Sequence, residues 1–84
     1  MGWTITFPPG SPQPGQEVCV TISGGGSSEP HVTVSFDGDS PMEIEEIKNL
    51  GSGVFIVCFT MPPNAEYGKI SVSSKGGGFG TQYF

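Results

Sequence analysis

The chain has 84 residues, with 14 glycines, 8 prolines and a net charge of −5 that comes from eight Asp and Glu residues against three lysines. A chain this short forms one domain, predicted here over residues 1–84, and buries only about 60 to 65% of its unfolded surface. It contains no arginine, so nucleic acid and anionic membranes are not expected partners. No apolar stretch reaches the roughly 18 residues of a membrane span, and no signal peptide is expected.

Apolar and polar residues alternate in short segments separated by turn residues, which is typical of half-buried antiparallel strands. In chain order these segments are WTITF, EVCVTIS, HVTVSF, MEIEEI, VFIVCFTM, KISVSS and the glycine-rich end KGGGFGTQYF. The alternation breaks near Glu46 and Ile47, which indicates a bulge or a strand end. The pattern predicts an all-β fold of about seven strands in a two-sheet antiparallel Greek-key sandwich of immunoglobulin type.

Alternation also predicts which side chains face the core. On each strand one set of alternate positions is apolar, and on VFIVCFTM the set with the aromatic residues is assigned to the core. The Asp37-Gly38 step, which tolerates positive φ, predicts a tight turn after the third strand. The predicted core residues are Trp3, Val18, Val20, Ile22, Val32, Val34, Phe36, Met42, Ile44, Phe55, Val57, Phe59, Met61, Ile70 and Val72.

Cys19 and Cys58 lie 39 positions apart on predicted strands. Both occupy positions of outward parity, because their neighbours along each strand are assigned to the core. Outward cysteines on opposite sheets are too far apart for a disulfide, which needs a Cα separation below about 7 Å. We therefore expect free thiols and a reducing compartment.

No residue pattern predicts catalysis or a cofactor. His31 is the only histidine, and no second ligand stands at zinc spacing from it. The segment DGDSPMEIEE gathers five carboxylates, which form either a solvated acidic face or a weak cation site on the Asp37/Asp39 loop. We expect a non-enzymatic protein with no catalytic residues, no metal site and no cofactor.

The segment SGVFIVCFTMP resembles the Gly-x-Tyr-x-Val-x-Tyr-x-Pro strand of filamin-type repeats, which are early-set immunoglobulin-like domains. Gly53, Phe55, Val57 and Phe59 match that pattern, whereas Met61 replaces its proline. The resemblance implies a structural or protein-interaction module of a cytoplasmic cytoskeletal or scaffolding protein, with neighbouring domains in a longer chain. It also implies an extended peptide partner added between the third and fourth strands, at Val32, Val34, Phe36, Met42, Glu43, Ile44 and Glu45.

A second resemblance is to the IPT/TIG domains of cell-surface receptors and transcription factors. It rests on PGQEVCVTISG, VSFDG, TMPP, YGKISVSS and the terminal aromatics. It implies an extracellular or cell-surface adhesion or carbohydrate-binding module, for which Trp3 and Tyr67 are the candidate sugar-stacking residues. A spacer without a ligand is the third alternative.

Overall fold

The computed structural model describes residues 2–84 and contains eight strands where the sequence predicted about seven. The fourth predicted segment supplies two of them, because the chain leaves one sheet after Glu43 and enters the other at Ile47. No helix that could span a lipid bilayer occurs within residues 2–84. The strands are β1 (Thr4–Thr6), β2 (Glu17–Ser23), β3 (His31–Phe36), β4 (Met42–Glu43), β5 (Ile47–Gly51), β6 (Val54–Thr60), β7 (Gly68–Ser73) and β8 (Phe79–Tyr83).

The strands form two four-stranded antiparallel sheets, as the all-β sandwich prediction required. One sheet has the order β1-β2-β6-β5 and the other the order β4-β3-β7-β8. The core lies between them, and the predicted inward positions of β2, β3, β6 and β7 are all buried. Trp3 is buried too and meets Phe55 edge to face, with 5.9 Å between ring centroids.

The predicted burial of Met42 on the fourth strand is wrong, although Met42 lies opposite the buried Val34 and so has the inward parity that was predicted. Its side chain is 55% exposed, because β4 is a two-residue strand at the sheet edge with no opposing strand to cover it. Ile44 is half-buried and packs against the core. Its N–H donates to the Val32 carbonyl at 2.9 Å, which extends the edge pairing by one residue.

Two tight turns follow from residues that accept positive φ. Asp37 and Gly38, after β3, have φ values of 52° and 81°, and the Asp39 N–H closes the turn onto the Phe36 carbonyl. Ser52 and Gly53, between β5 and β6, have φ values of 57° and 77°. Such turns match the twist of antiparallel strands.

The expectation of free thiols is wrong, because Cys19 and Cys58 form a disulfide. Both residues are exposed on the outer face, as their parity predicted. The error lay in the sheet assignment: β6 lies beside β2 in the same sheet, and Cys19 is directly opposite Cys58 in the register. Their Cα atoms are 4.1 Å apart, which is within reach of a bridge between neighbouring strands.

Candidate binding edge

A two-sheet sandwich has four edge strands, whose outer N–H and C=O groups can pair with another chain. Here the edges are β1 and β5 in one sheet and β4 and β8 in the other. They differ in length, charge and shape, and therefore in how readily each accepts a partner strand.

The edge at β4 is where the filamin resemblance placed a peptide. Val32, Val34 and Phe36 lie on β3 with their side chains buried between the sheets. β3 is paired on one side with β4 and on the other with β7, so its own edge is not free. Of the other residues expected at the site, Met42, Glu43 and Glu45 are exposed and Ile44 is half-buried.

Charged side chains surround the β4 edge. The His31 Nδ1 lies 3.1 Å from the Glu43 carboxylate, and both side chains are more than half exposed. Ser73 lies opposite His31 in the β3–β7 register. Among the described residues, no hydrogen bond joins the side chains of His31 and Ser73.

The edges at β1 and β5 each have a feature that discourages strand pairing. β1 has three residues and is followed by Pro8 and Pro9, which cannot donate to a ladder. β5 has a register irregularity between Asn49 and Gly51 and an exposed Lys48. Short length, proline, bulges and lysine are the usual protections of edge strands.

β8 is an edge strand of five residues without proline, charged side chains or a register irregularity. Gly68 and Phe84 exchange backbone hydrogen bonds at 2.8 and 2.9 Å, and hydrogen-bonding residues alternate along an antiparallel strand. The backbone N–H and C=O of Gln82 therefore point toward β7 as well, whereas those of Thr81 and Tyr83 point away from the sheet. No other strand of the described residues pairs with this side of β8.

Local contacts define the free part of the β8 edge. At its beginning the Phe79 carbonyl accepts the Trp3 N–H at 3.0 Å. Near its end the Gln82 side-chain amide donates to the Tyr83 carbonyl at 3.1 Å. Both N–H and C=O of Thr81, together with the Tyr83 N–H, remain without a partner in the part of the chain described.

The side chains of β8 are uncharged and include two exposed rings. Phe79 and Tyr83 are each 64% exposed. Both lie on the outer face with Thr81 between them, opposite Ser73, Lys69 and Ser71 of β7. The Lys69 Nζ lies 5.9 Å from the centroid of the Tyr83 ring.

An apolar groove of about 380 Å³ lies beside the end of β8. Its lining includes Phe7, Pro12, Met61 and Phe84. Phe7 and Phe84 are in ring contact at 4.9 Å, and Phe84 also packs on Phe59 at 5.3 Å. Among the described residues that line this groove, Glu66 alone has a charged side chain.

The Asp37/Asp39 loop uses one carboxylate for structure. Asp37 Oδ1 accepts the N–H groups of Glu66 and Tyr67 at 2.9 and 3.0 Å. Within residues 2–84 no group of three or more His, Cys, Asp or Glu side chains is arranged to hold a metal ion. Asp37 thus joins the β3–β4 turn to residues 66 and 67, which precede β7.

The two candidate sugar-stacking residues are placed differently. Trp3 is 6% exposed and belongs to the core, so its ring faces are covered. Tyr67 is 49% exposed and lies against Gly38 of the β3–β4 turn. The two rings therefore do not form a common platform.

Sequence reasoning missed the β8 edge. Its signal was present, because GGGFGTQYF contains two alternate aromatic residues and no charge. What the sequence did not show was that this strand ends a sheet and that Glu66 lies beside it. No family model, curated protein or solved structure matches this chain.

Proposed function

We propose that this protein is a non-enzymatic interaction module that binds an extended peptide by strand addition at β8. The observation that supports the proposal is that the Thr81 N–H and C=O and the Tyr83 N–H have no partner in the described chain, on a strand without charged side chains. In strand addition, main-chain hydrogen bonds supply affinity and alternate side-chain positions supply specificity. A peptide beside β8 would become a fifth strand of its sheet.

The energetics of this edge favour a partner strand over water alone. Each main-chain hydrogen bond contributes a net ~0.5–1.5 kcal/mol, and Thr81 offers one donor and one acceptor. The Gln82 amide that covers the Tyr83 carbonyl is an exposed side chain whose displacement costs little. Exposed aromatic side chains such as Tyr83 add apolar contact area at low conformational cost.

We favour β8 over the third/fourth-strand edge that the filamin resemblance implied. A peptide at β4 would meet a two-residue strand that contains Glu43 and is followed closely by Glu45, and charges on an edge strand oppose pairing. The side chains of Val32 and Val34 are already buried in the core. The strand order supports the immunoglobulin-like part of the proposal, because β1, β2, β6 and β5 fall in the places of strands A, B, E and D.

We also propose that the module works in an oxidising compartment, as an extracellular or cell-surface domain. The expectation of a cytoplasmic location depended on free thiols and on the filamin resemblance, and the Cys19–Cys58 bridge supports the alternative. Native protein denatured with an alkylating agent and no reductant should show an intact mass without adducts. Two alkylated cysteines would contradict this proposal.

A pair of variants at Thr81 tests strand addition. Peptides are first selected from a phage-displayed random library on the native protein, and one peptide is then titrated against Thr81→Pro and Thr81→Val. Proline removes the outward N–H, which is not a donor in the β7–β8 ladder, whereas valine keeps that N–H and changes the side chain. We expect Thr81→Pro to weaken binding roughly tenfold and Thr81→Val to bind like the native protein. Equal binding by all three, or a library that yields no peptide, would overturn the proposal.

Carbohydrate binding is a second candidate, and exposed rings on the outer face of β8 favour it. Phe79 and Tyr83 flank a row of hydroxyl side chains formed by Thr81, Ser71 and Thr33, and aromatic rings present apolar faces suited to sugars. Binding of a glycan that is lost in Phe79→Ala and Tyr83→Ala but retained in Thr81→Pro would support this candidate over a peptide.

A further inference from the structure

We infer that the peptide partner is basic and apolar: on the face that it turns toward the sandwich, it has an apolar side chain that fills the groove beside β8 and a Lys or Arg that pairs with Glu66. This inference rests on the proposed strand addition and names its partner class. It concerns the side chains on the inner face of the added peptide, whereas the Thr81 variants test the peptide's backbone hydrogen bonds.

The direction of the inner face follows from the register of β8. Ile70 is opposite Gln82, and Gly68 is opposite Phe84. Residues opposite each other in a ladder share a face, and Ile70 is fully buried. Gln82 and Phe84 therefore lie on the inner face, and a strand added beyond β8 points alternate side chains toward the same side.

The groove gives that inner face an apolar surface. Phe7, Pro12, Met61 and Phe84 line it, and its volume is about 380 Å³. Phe7, Pro12 and Phe84 are half-buried, not fully covered, so an added side chain would remove further apolar surface from water. That removal is worth roughly 25 cal/mol per Å² before the costs of association.

Glu66 gives the groove its charge. Its backbone is fixed, because its N–H donates to Asp37 Oδ1 at 2.9 Å, while its side chain is exposed. No lysine lines the groove among the described residues, and the whole chain has a net charge of −5. Charge complementarity therefore favours a cationic partner and disfavours an acidic one.

The order of the two side chains along the peptide is fixed as well. Tyr67 and Glu66 precede Gly68, which pairs with Phe84, so Glu66 lies past the end of β8. The basic residue thus follows the apolar one in the direction in which β8 runs. Because only alternate residues face inward, the two are separated by an odd number of residues.

Charge reversal at Glu66 tests this inference in a second selection. The same displayed library is selected in parallel on the native protein, on Glu66→Lys and on Glu46→Lys. Glu46 is an exposed residue that lines a different surface pocket, together with Cys58, so this control makes the same change in net charge outside the groove. Both changes are on the surface, and thermal unfolding checks that each variant is folded.

We expect the native and Glu46→Lys pools to share an apolar residue and a Lys or Arg with an odd number of residues between them. The Glu66→Lys pool should lose the basic residue and gain Asp or Glu in its place. Peptides that bind in a Thr81→Pro-sensitive manner but show no basic enrichment would overturn the partner class and leave strand addition standing. Peptides insensitive to Thr81→Pro would overturn both.

Discussion

At the scale of single residues, Asp37 links two distant parts of the chain. Its carboxylate accepts two backbone N–H groups from residues 66 and 67, and its own N–H donates to the Tyr67 carbonyl at 3.1 Å. It does so with φ of 52°, a conformation that Asp and Asn adopt more readily than other non-glycine residues. The same residue thus closes a turn and fixes the backbone of Glu66 and Tyr67, just before β7 begins.

Asp37→Ala should lower the free energy of unfolding by roughly 1–3 kcal/mol, because alanine loses both hydrogen bonds and is strained at positive φ. Asp37→Asn keeps a side-chain oxygen and should lose less than about 1 kcal/mol. Asp39→Ala is the control, since its side chain accepts no hydrogen bond within the described chain. Urea denaturation measures all three, and equal stability of Asp37→Ala and Asp39→Ala would contradict this role.

Gly25 leaves room for Trp3. A Cβ at residue 25 would overlap the Trp3 indole, whereas one at Gly76 would meet nothing within 4 Å. Because Trp3 is buried against Phe55, Gly25→Ala should destabilise the protein by roughly 1–3 kcal/mol through overpacking. Gly76→Ala should change stability little. Thermal unfolding and Trp3 fluorescence check this, and an unchanged midpoint for Gly25→Ala would contradict the packing of Trp3 against residue 25.

At the scale of elements, the disulfide joins the two central strands of one sheet. β2 and β6 are paired over six residue pairs, and the bridge lies on their exposed face. The core of the sandwich lies on the opposite face. The bridge therefore restricts the unfolded chain without supplying core packing.

The double variant Cys19→Ala/Cys58→Ala should fold and show the native β-sheet circular dichroism spectrum. Its free energy of unfolding should be lower than that of the native protein by about 2–4 kcal/mol. The estimate follows from closing a loop across 39 positions in the unfolded chain. Dithiothreitol should destabilise the native protein by a similar amount and leave the double variant unchanged. A double variant as stable as the native protein would mean that the bridge does not form in solution.

Strand identity and side-chain orientation could be predicted from alternation, but strand neighbours could not. Cys58 shows the difference: its outward parity was read correctly from Val57 and Phe59, yet nothing in the sequence placed β6 beside β2. Met42 shows a second limit, because alternation does not distinguish a covered strand from a two-residue edge. Pairing depends on long-range contacts, which a local pattern does not contain.

At the scale of the whole molecule, the fold explains which edge is open. Two sheets of four strands expose four edges, and short length, proline, a bulge or charge protects β1, β4 and β5. β8 has none of these protections. The candidate site could not be predicted from sequence because Phe7, Met61 and Glu66 lie far from β8 along the chain and meet it only in the folded sandwich.

Backbone amide hydrogen exchange at β8 tests the central claim most directly. In the free protein, the backbone amides of Thr81 and Tyr83 should exchange fast. The Gln82 amide should exchange slowly, because it alone of the three points toward β7. With a selected peptide bound, Thr81 and Tyr83 should become protected while Gln82 stays slow. If Thr81 continues to exchange fast in a saturated complex, the peptide does not add to β8 and the account is wrong.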